Sequence, residues 1–486
     1  MTITDTRTDA RNRWLALIVL CLGDLMIVLD TTIVNVALPS IRDDLGFSET
    51  SLAWVVNAYL LTFGGFLLLG GRLGDLYGRR RMFLAGIALF TGASVVCGLS
   101  TSQGMLVAAR AVQGLGGAVV SAVALSLIMT LFTEAAERTK AMGVFGFVMA
   151  GGGSIGVLLG GVLTDTLSWH WIFLVNVPIG VLVYVLTLRL LPSSEQATER
   201  GRLDVAGAVT VTVALMLAVY AIVNGNKNGW LSAETLGLLT GASVLFVGFF
   251  AIESRVREPL MPLAILKLRN IWASNLVGIL WAAAMFAWFF LSALYMQLVL
   301  GYTPLQVGLA FLPANVIMGL FSVGLSAKLV MRFGIKPPLV TGLGLAAVGL
   351  ALLALAPVDG SFAMHVLPSM ILLGIGAGMA FNPVLLAAMS DVRPEQSGLA
   401  SGVVNTAFMM GGALGLAVLA SLADWRTRDL RSGSSELEAL TGGYHLAFVV
   451  GTVFAVGAAV IGGLLLRTAP QPEHERLGEP AVAEAD

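Results

Sequence analysis

Long apolar runs separated by short polar stretches dominate the chain from Trp14 to Arg467. A helix needs about 20 mostly apolar residues to cross a bilayer. The pattern predicts fourteen such spans, at roughly 14–38, 50–70, 82–100, 103–131, 140–163, 170–190, 204–224, 233–252, 272–298, 305–327, 338–356, 363–386, 398–420 and 443–466. The first run is too long for a cleaved leader and is interrupted by Asp24 and Asp30, so it is expected to remain as a span. The fold class expected is an all-α polytopic membrane protein.

Composition agrees. Of the 486 residues, 57% are hydrophobic and 12% charged, with a mean hydropathy of +0.88. A soluble protein carries roughly a quarter charged residues, and disorder needs the opposite balance. A net charge of −1 offers nucleic acid no long-range attraction. Cys21 and Cys97 both lie in apolar runs, which supports neither a disulfide framework nor a zinc site.

The distribution of cations predicts an orientation, because loops facing the cytoplasm are enriched in Lys and Arg. With the N-terminus inside, 22 of the 28 Lys and Arg lie in inner segments. Five lie in outer loops (Arg42, Lys227, Arg426, Arg428 and Arg431), and Arg110 is inside a span. Both termini are therefore expected in the cytoplasm.

Two echoes point to an internal duplication. Residues 71–81 (GRLGDLYGRRR) recur as residues 327–336 (AKLVMRFGIK) at an offset of 256, and Gly152–Gly156 recur as Gly411–Gly415 at an offset of 259. An offset of eight spans in one orientation predicts two parallel six-helix halves with two helices inserted between them, a recurrent plan of secondary transporters. The organisation expected is a tail at 1–13, a bundle at 14–190, two extra helices at 204–252, a second bundle at 272–466 and a cytoplasmic tail at 467–486.

The motifs resemble those of the major facilitator superfamily, specifically its 14-span drug/proton antiporter branch. Residues 71–81 resemble the superfamily's loop between spans 2 and 3, and LDTTIVNVALP at 29–39 resembles the branch's first-span motif. RAVQGLG at 110–116 is similar to the fourth-span arginine motif; WHWIFLVNVPIG at 169–180 and the segment from Tyr295 to Pro304 are similar to further branch signatures. One departure is visible: in the fifth-span antiporter motif, Gly156 is followed by Val157 where proline is usual, so the motif associated with export is incomplete. The resemblance implies an alternating-access transporter, not an enzyme, that works without cofactor or metal.

Ionisable groups inside spans are functional candidates, and here they are Asp24, Asp30 and Arg110. Asp30 and Arg110 lie at similar distances from the outer ends of spans 1 and 4, so they are expected to be coupled and to serve proton coupling, or to form a fixed ion pair. Asp24 lies near the midplane, about 120° around the helix from Asp30. It is assigned to substrate charge, with a second proton site and a structural acid as alternatives. Gly71, Asp75, Gly78, Arg79 and Arg80 read as a latch at the cytoplasmic rim, or as positive anchors. Gly152, Gly156, Gly160 and Gly161 read as a close-packing helix face on which bundles could move. Trp281, Met285, Trp288 and Tyr295 share one face of span 9 and read as a broad apolar drug surface, or as packing.

No nucleotide-binding loop or nucleophile constellation appears, so the expected energy source is an ion gradient or the substrate's own gradient. The reading is a proton-coupled exporter, by substrate/H+ antiport, of small lipophilic, preferentially cationic drugs or antibiotics across the bacterial inner membrane. It is expected to act as a monomer. The alternatives are a narrow-substrate metabolite exporter or importer, or a transport-derived receptor that binds without moving its ligand. The orientation yields the first testable outcome. Cysteines introduced within 426–438 should react with an impermeant maleimide in intact cells, and one at position 476 should not; labelling at 476 would reverse the topology.

Overall fold

The computed structural model describes residues 3–132, 134–191, 204–256, 259, 261, 263–390, 392 and 397–467. The connection at 192–203 and the tail beyond 467 lie outside the described residues. The first half begins with α1 (Ile3–Leu45), α2 (Glu49–Tyr77), α3 (Arg79–Gly98), α4 (Gln103–Leu131) and α5 (Ala135–Thr166). Its sixth rod is interrupted, comprising α6 (Trp171–Leu174) and α7 (Asn176–Leu190). The inserted pair is α8 (Val205–Asn228) and α9 (Ala233–Glu253). The second half starts with α10 (Arg269–Leu294), extended by a π-helical turn at Tyr295–Val299. Next come α11 (Pro304–Leu320) and α12 (Ser326–Phe333), joined by another π-helical turn, and then α13 (Lys336–Leu353). The final rods are α14 (Leu367–Met389), α15 (Ser397–Leu430) and α16 (Glu436–Leu465).

Among the described residues, twelve helices are each long and apolar enough to cross a membrane. The α11–α12 rod and α5 complete the fourteen. Every rod begins or ends where the sequence can satisfy open backbone groups. Ser48, Thr303 and Ser435 form reciprocal capping boxes at the starts of α2, α11 and α16. Helix ends use glycine: Gly78 (φ 94°) closes α2 with its N–H on the Gly74 carbonyl. Gly334 (φ 80°) closes α12 with its N–H on the Val330 carbonyl. These four residues are related by the offset of 256, so the duplication read from the sequence is a duplicated backbone conformation that favours glycine.

The glycine echo is duplicated in packing too. Gly152 and Gly156 press against Leu25, Val28 and Leu29 of α1, and Gly411 and Gly415 press against Ile279 and Ala283 of α10. Helix α5 therefore serves α1 as α15 serves α10. In the first half, α4 packs on α2 and α3, and α7 packs on α1 and α3. In the second, α13 packs on α14 and α16, and α10 packs on α15 and α16. The halves meet along two seams, α5 with α11 and α2 with α15, and α8 lies on both α2 and α15.

The ladder of Gly152, Gly156 and Gly160 thus faces α1 of its own half, while Gly161 faces the other half. A Cβ on Gly161 would stand 2.8 Å from the Pro304 carbonyl, and one on Gly308 would stand 2.9 Å from the Val157 carbonyl. Backbones approach this closely only where both helices carry small residues. Helix α1 begins and α16 ends on the same face, the termini face. Gly160→Val, whose Cβ would meet the Ile33 carbonyl at 2.7 Å, should cost on the order of 1–3 kcal/mol of stability and lower the melting temperature in detergent. Gly92→Ala, with nothing within 4 Å of the added carbon, should not lower it and should raise it slightly, because alanine favours the helix.

Candidate functional site

Arg110 is 1% exposed and Asp30 is fully buried, inside a chain segment that crosses the membrane. A guanidinium placed there needs acceptors from the protein. Helix α4 aims Arg110 at α1, where its Nη1 forms an ion pair with Asp30 Oδ2. The same nitrogen donates to Gln113 Oε1 at 2.7 Å, and Nε donates to the Val55 carbonyl of α2 at 2.9 Å. The flat faces of the guanidinium meet the rings of Tyr59, 4.3 Å from the centroid, and Phe173, at 5.7 Å.

Asp30 is equally well served. Its Oδ1 accepts from Gln113 Nε2 at 2.7 Å and from Asn176 Nδ2 at 2.9 Å. Gln113 Nε2 also donates to Ser94 Oγ of α3 at 2.8 Å. The break between α6 and α7 is what places Asn176, the first residue of α7, inside the cluster. Five rods are thereby joined around one neutral ion pair. Gln113 and Asn176 were visible in the sequence only as members of motif strings. Gln113, three residues after Arg110, shares its helix face, and that spacing was a usable signal. Asn176 had none, because its direction depends on the helix break.

Asp24 is placed differently. It is fully buried about 9 Å along α1 from Asp30, and neither of its carboxylate oxygens receives a hydrogen bond from a described residue. The hydroxyl of Ser121 on α4 faces it. Asn57 of α2 is likewise fully buried with both amide atoms unpartnered. Polar groups without partners inside a membrane are costly, and functional sites are where that cost is retained.

The stripe on α10 is not brought together around one cavity. Trp281, Trp288 and Tyr295 are each 1% exposed. Trp288 packs on Phe289 and Phe311, and the Tyr295 hydroxyl donates to the Pro357 carbonyl at 2.7 Å. Met285 is half-buried against the core. Trp281 alone lines a small void, with Gly278, Phe381, Asn405 and Phe408. The reason is that α10 is covered by α14, α15 and α16 on three sides, so a helical stripe there meets several partners.

At the termini face, Asp75 accepts from Arg79 Nη2 at 3.0 Å and Nε at 3.3 Å. Arg79 also donates to Thr130 Oγ1 of α4, and Arg80 donates to the Leu188 carbonyl of α7 at 2.7 Å. These contacts join α2, α3, α4 and α7 within the first half. Gly71 lies beside Ala122 of α4.

The family model described as Major Facilitator Superfamily matches residues 20–416. The puromycin resistance protein pur8 of Streptomyces alboniger is 39% identical over 457 residues, covering 93% of this chain and 90% of that protein. The cephamycin export protein CmcT of Amycolatopsis lactamdurans is 38% identical over 450 residues, covering 92% and 91%. Among solved structures, the inward open xylose transporter XylE from E. coli superposes with a TM-score of 0.64 at 17% identity, over 94% of this chain and 97% of that one.

Breaking a buried ion pair from one side leaves an uncompensated charge, at about 3–5 kcal/mol. Arg110→Met should therefore destabilise the protein strongly, whereas adding Asp30→Asn to it should restore part of the loss. A double-mutant cycle on detergent melting curves checks this, and strict additivity would show that the two side chains do not interact.

Proposed function

Because the chain belongs to the major facilitator superfamily, we propose that it is a proton-driven exporter of small lipophilic, preferentially cationic antibiotics or drugs across the bacterial plasma membrane. Its moving parts are the halves at 14–190 and 272–466, with both termini in the cytoplasm and the monomer as the working unit. The relatives named for puromycin resistance and cephamycin export support outward transport and antibiotics as the cargo.

The observation that carries the mechanism is the buried Asp30–Arg110 pair. A proton taken up by Asp30 cancels the carboxylate charge and frees Arg110 to find its acceptors elsewhere. Releasing the proton restores the pair. Because the pair and its donors tie α1, α2, α3, α4 and α7 together, the protonation state of one oxygen is felt by five of the six rods of the first half. Asp24, faced by the Ser121 hydroxyl but by no cationic partner, supplies counter-charge for a cationic substrate. Asp75 with Arg79 and Arg80 holds the termini face of that half as a rigid latch surface. Gly161 and Gly308 let α5 and α11 slide past one another at the seam.

A second reading, narrow specificity for one antibiotic, is favoured by relatives whose names each carry a single compound. Proteoliposome flux under an imposed pH gradient tests the main reading. At equal amounts of folded, ligand-binding protein, Asp30→Asn should abolish uphill transport of every substrate. Asp24→Asn should weaken a cationic compound by about 1–3 kcal/mol and leave a neutral one nearly unchanged. If Asp24→Asn instead removes proton coupling and Asp30→Asn keeps it, the two assignments are reversed.

A further inference from the structure

Helix α8 packs on α2 of the first half and on α15 of the second. A helix placed across both halves can follow only one of them if they rock. Its contacts on the two sides differ in kind. Toward α15 they are hydrogen bonds at the face opposite the termini. Asn226 Nδ2 donates to the Ser421 carbonyl at 2.7 Å and also reaches Ser421 Oγ at 3.2 Å and Asp424 Oδ2 at 3.3 Å. Ser421 Oγ donates in return to the Ile222 carbonyl at 3.1 Å. Trp230 Nε1 donates to Asn226 Oδ1 at 3.0 Å, which fixes the orientation of the amide. Ser421 is 2% exposed, so water does not compete freely for its share of these bonds.

Toward α2 the contacts are steric. Thr212 sits against the bare backbone of Gly65, where an added Cβ would collide with its Oγ1. That hydroxyl is engaged within α8, donating to the Ala208 carbonyl at 2.7 Å. The rings of Trp54 and Tyr220 meet with centroids 6.4 Å apart. Among the described residues, no hydrogen bond joins α8 to α2. Small-residue and ring contacts let packed helices slide, whereas directional bonds hold their register.

A second anchor lies at the termini face. The chain leaving α9 turns back on the end of that helix, and the Met261 N–H donates to Glu253 Oε2 at 3.2 Å. The segment that follows buries Ile265 with Ile271 of α10 and Ala400 of α15, and Leu266 and Leu268 pack on the same cluster. The insert is thus tied to the second half at both membrane faces.

We propose that the inserted pair moves with the second half as one rigid body, and that α2 shears along α8 at the Gly65–Thr212 contact. This rests on the reading of the halves as moving parts, and it assigns to one side the two helices that the reading left between them. The rocking units are then unequal, with six spans in one and eight in the other. Helix α8 stays over the seam between α2 and α15 while α2 moves beneath it.

The test measures distances between spin labels on the full chain in nanodiscs, in acidic buffer, in alkaline buffer and in the Asp30→Asn background. The labels sit on Thr101→Cys between α3 and α4, Lys227→Cys at the end of α8 and Ser434→Cys after α15, all exposed positions. The native Cys21 and Cys97 are buried. The distance from 227 to 434 should hold within the width of its distribution. Those from 101 to 227 and from 101 to 434 should shift together by several ångströms. A shift from 227 to 434 with 101 to 227 constant would place the insert with the first half and overturn the proposal. So would a shift in all three. If 101 to 434 is constant in every condition, it is the moving-halves reading that fails, and the proposal falls with it. Asn226→Ala, which cuts the tie at one face, should widen the distribution from 227 to 434 severalfold. An unchanged width would overturn the anchoring.

Discussion

Burying a guanidinium in hydrocarbon dictates much of the first half of this molecule. Arg110 needs acceptors that water supplies elsewhere, and it finds the Asp30 carboxylate of α1, the Val55 carbonyl of α2 and the Gln113 amide oxygen of its own helix, while the Gln113 amide nitrogen in turn donates to Ser94 of α3. Asn176 then requires α7 to start where it does. In a membrane, helices gain little from apolar attraction to one another, because lipid is as apolar as their side chains. A polar cluster with its main donors and acceptors engaged can specify a unique arrangement where apolar packing alone would be permissive.

The second half solves the same problem by other means. The spans of α10 to α16 carry no ionisable residue deep in the membrane, and their order rests on aromatic packing and small-residue contacts. Trp288, Phe289 and Phe311 form one ring cluster, and Phe286, Phe381 and Phe408 form another. Gly374 and Gly376 bring α14 against α11 and α13. A duplicated backbone has therefore diverged into a charged half and a neutral one.

Most of the architecture was legible in the sequence, because hydrophobic length alone sets a membrane span. All fourteen rods fall on the apolar runs, and the offset of 256 proved to be a repeated glycine cap. The pairing of Asp30 with Arg110 could be anticipated from depth, since rise per residue converts position into height. Depth says nothing about azimuth. That is why the α10 stripe, aligned on its own helix, came apart against three neighbours, and why the glycine ladder turned out to face α1. Asn176 and the orphaned amide of Asn57 depend on helix breaks and tertiary rotation, which no single-helix periodicity encodes.

A lipophilic solute dissolves first in the bilayer, so it approaches this protein from the side and meets two unlike flanks. Along one, α5 and α11 touch through Gly161 and Gly308. Along the other, the junction of α2 and α15 is roofed by α8, with Thr212 set against Gly65 and Asn226 fastened to Ser421. The inserted helix α8 covers one of the two seams between the halves and leaves the other without it, which makes a nearly two-fold-symmetric body one-sided.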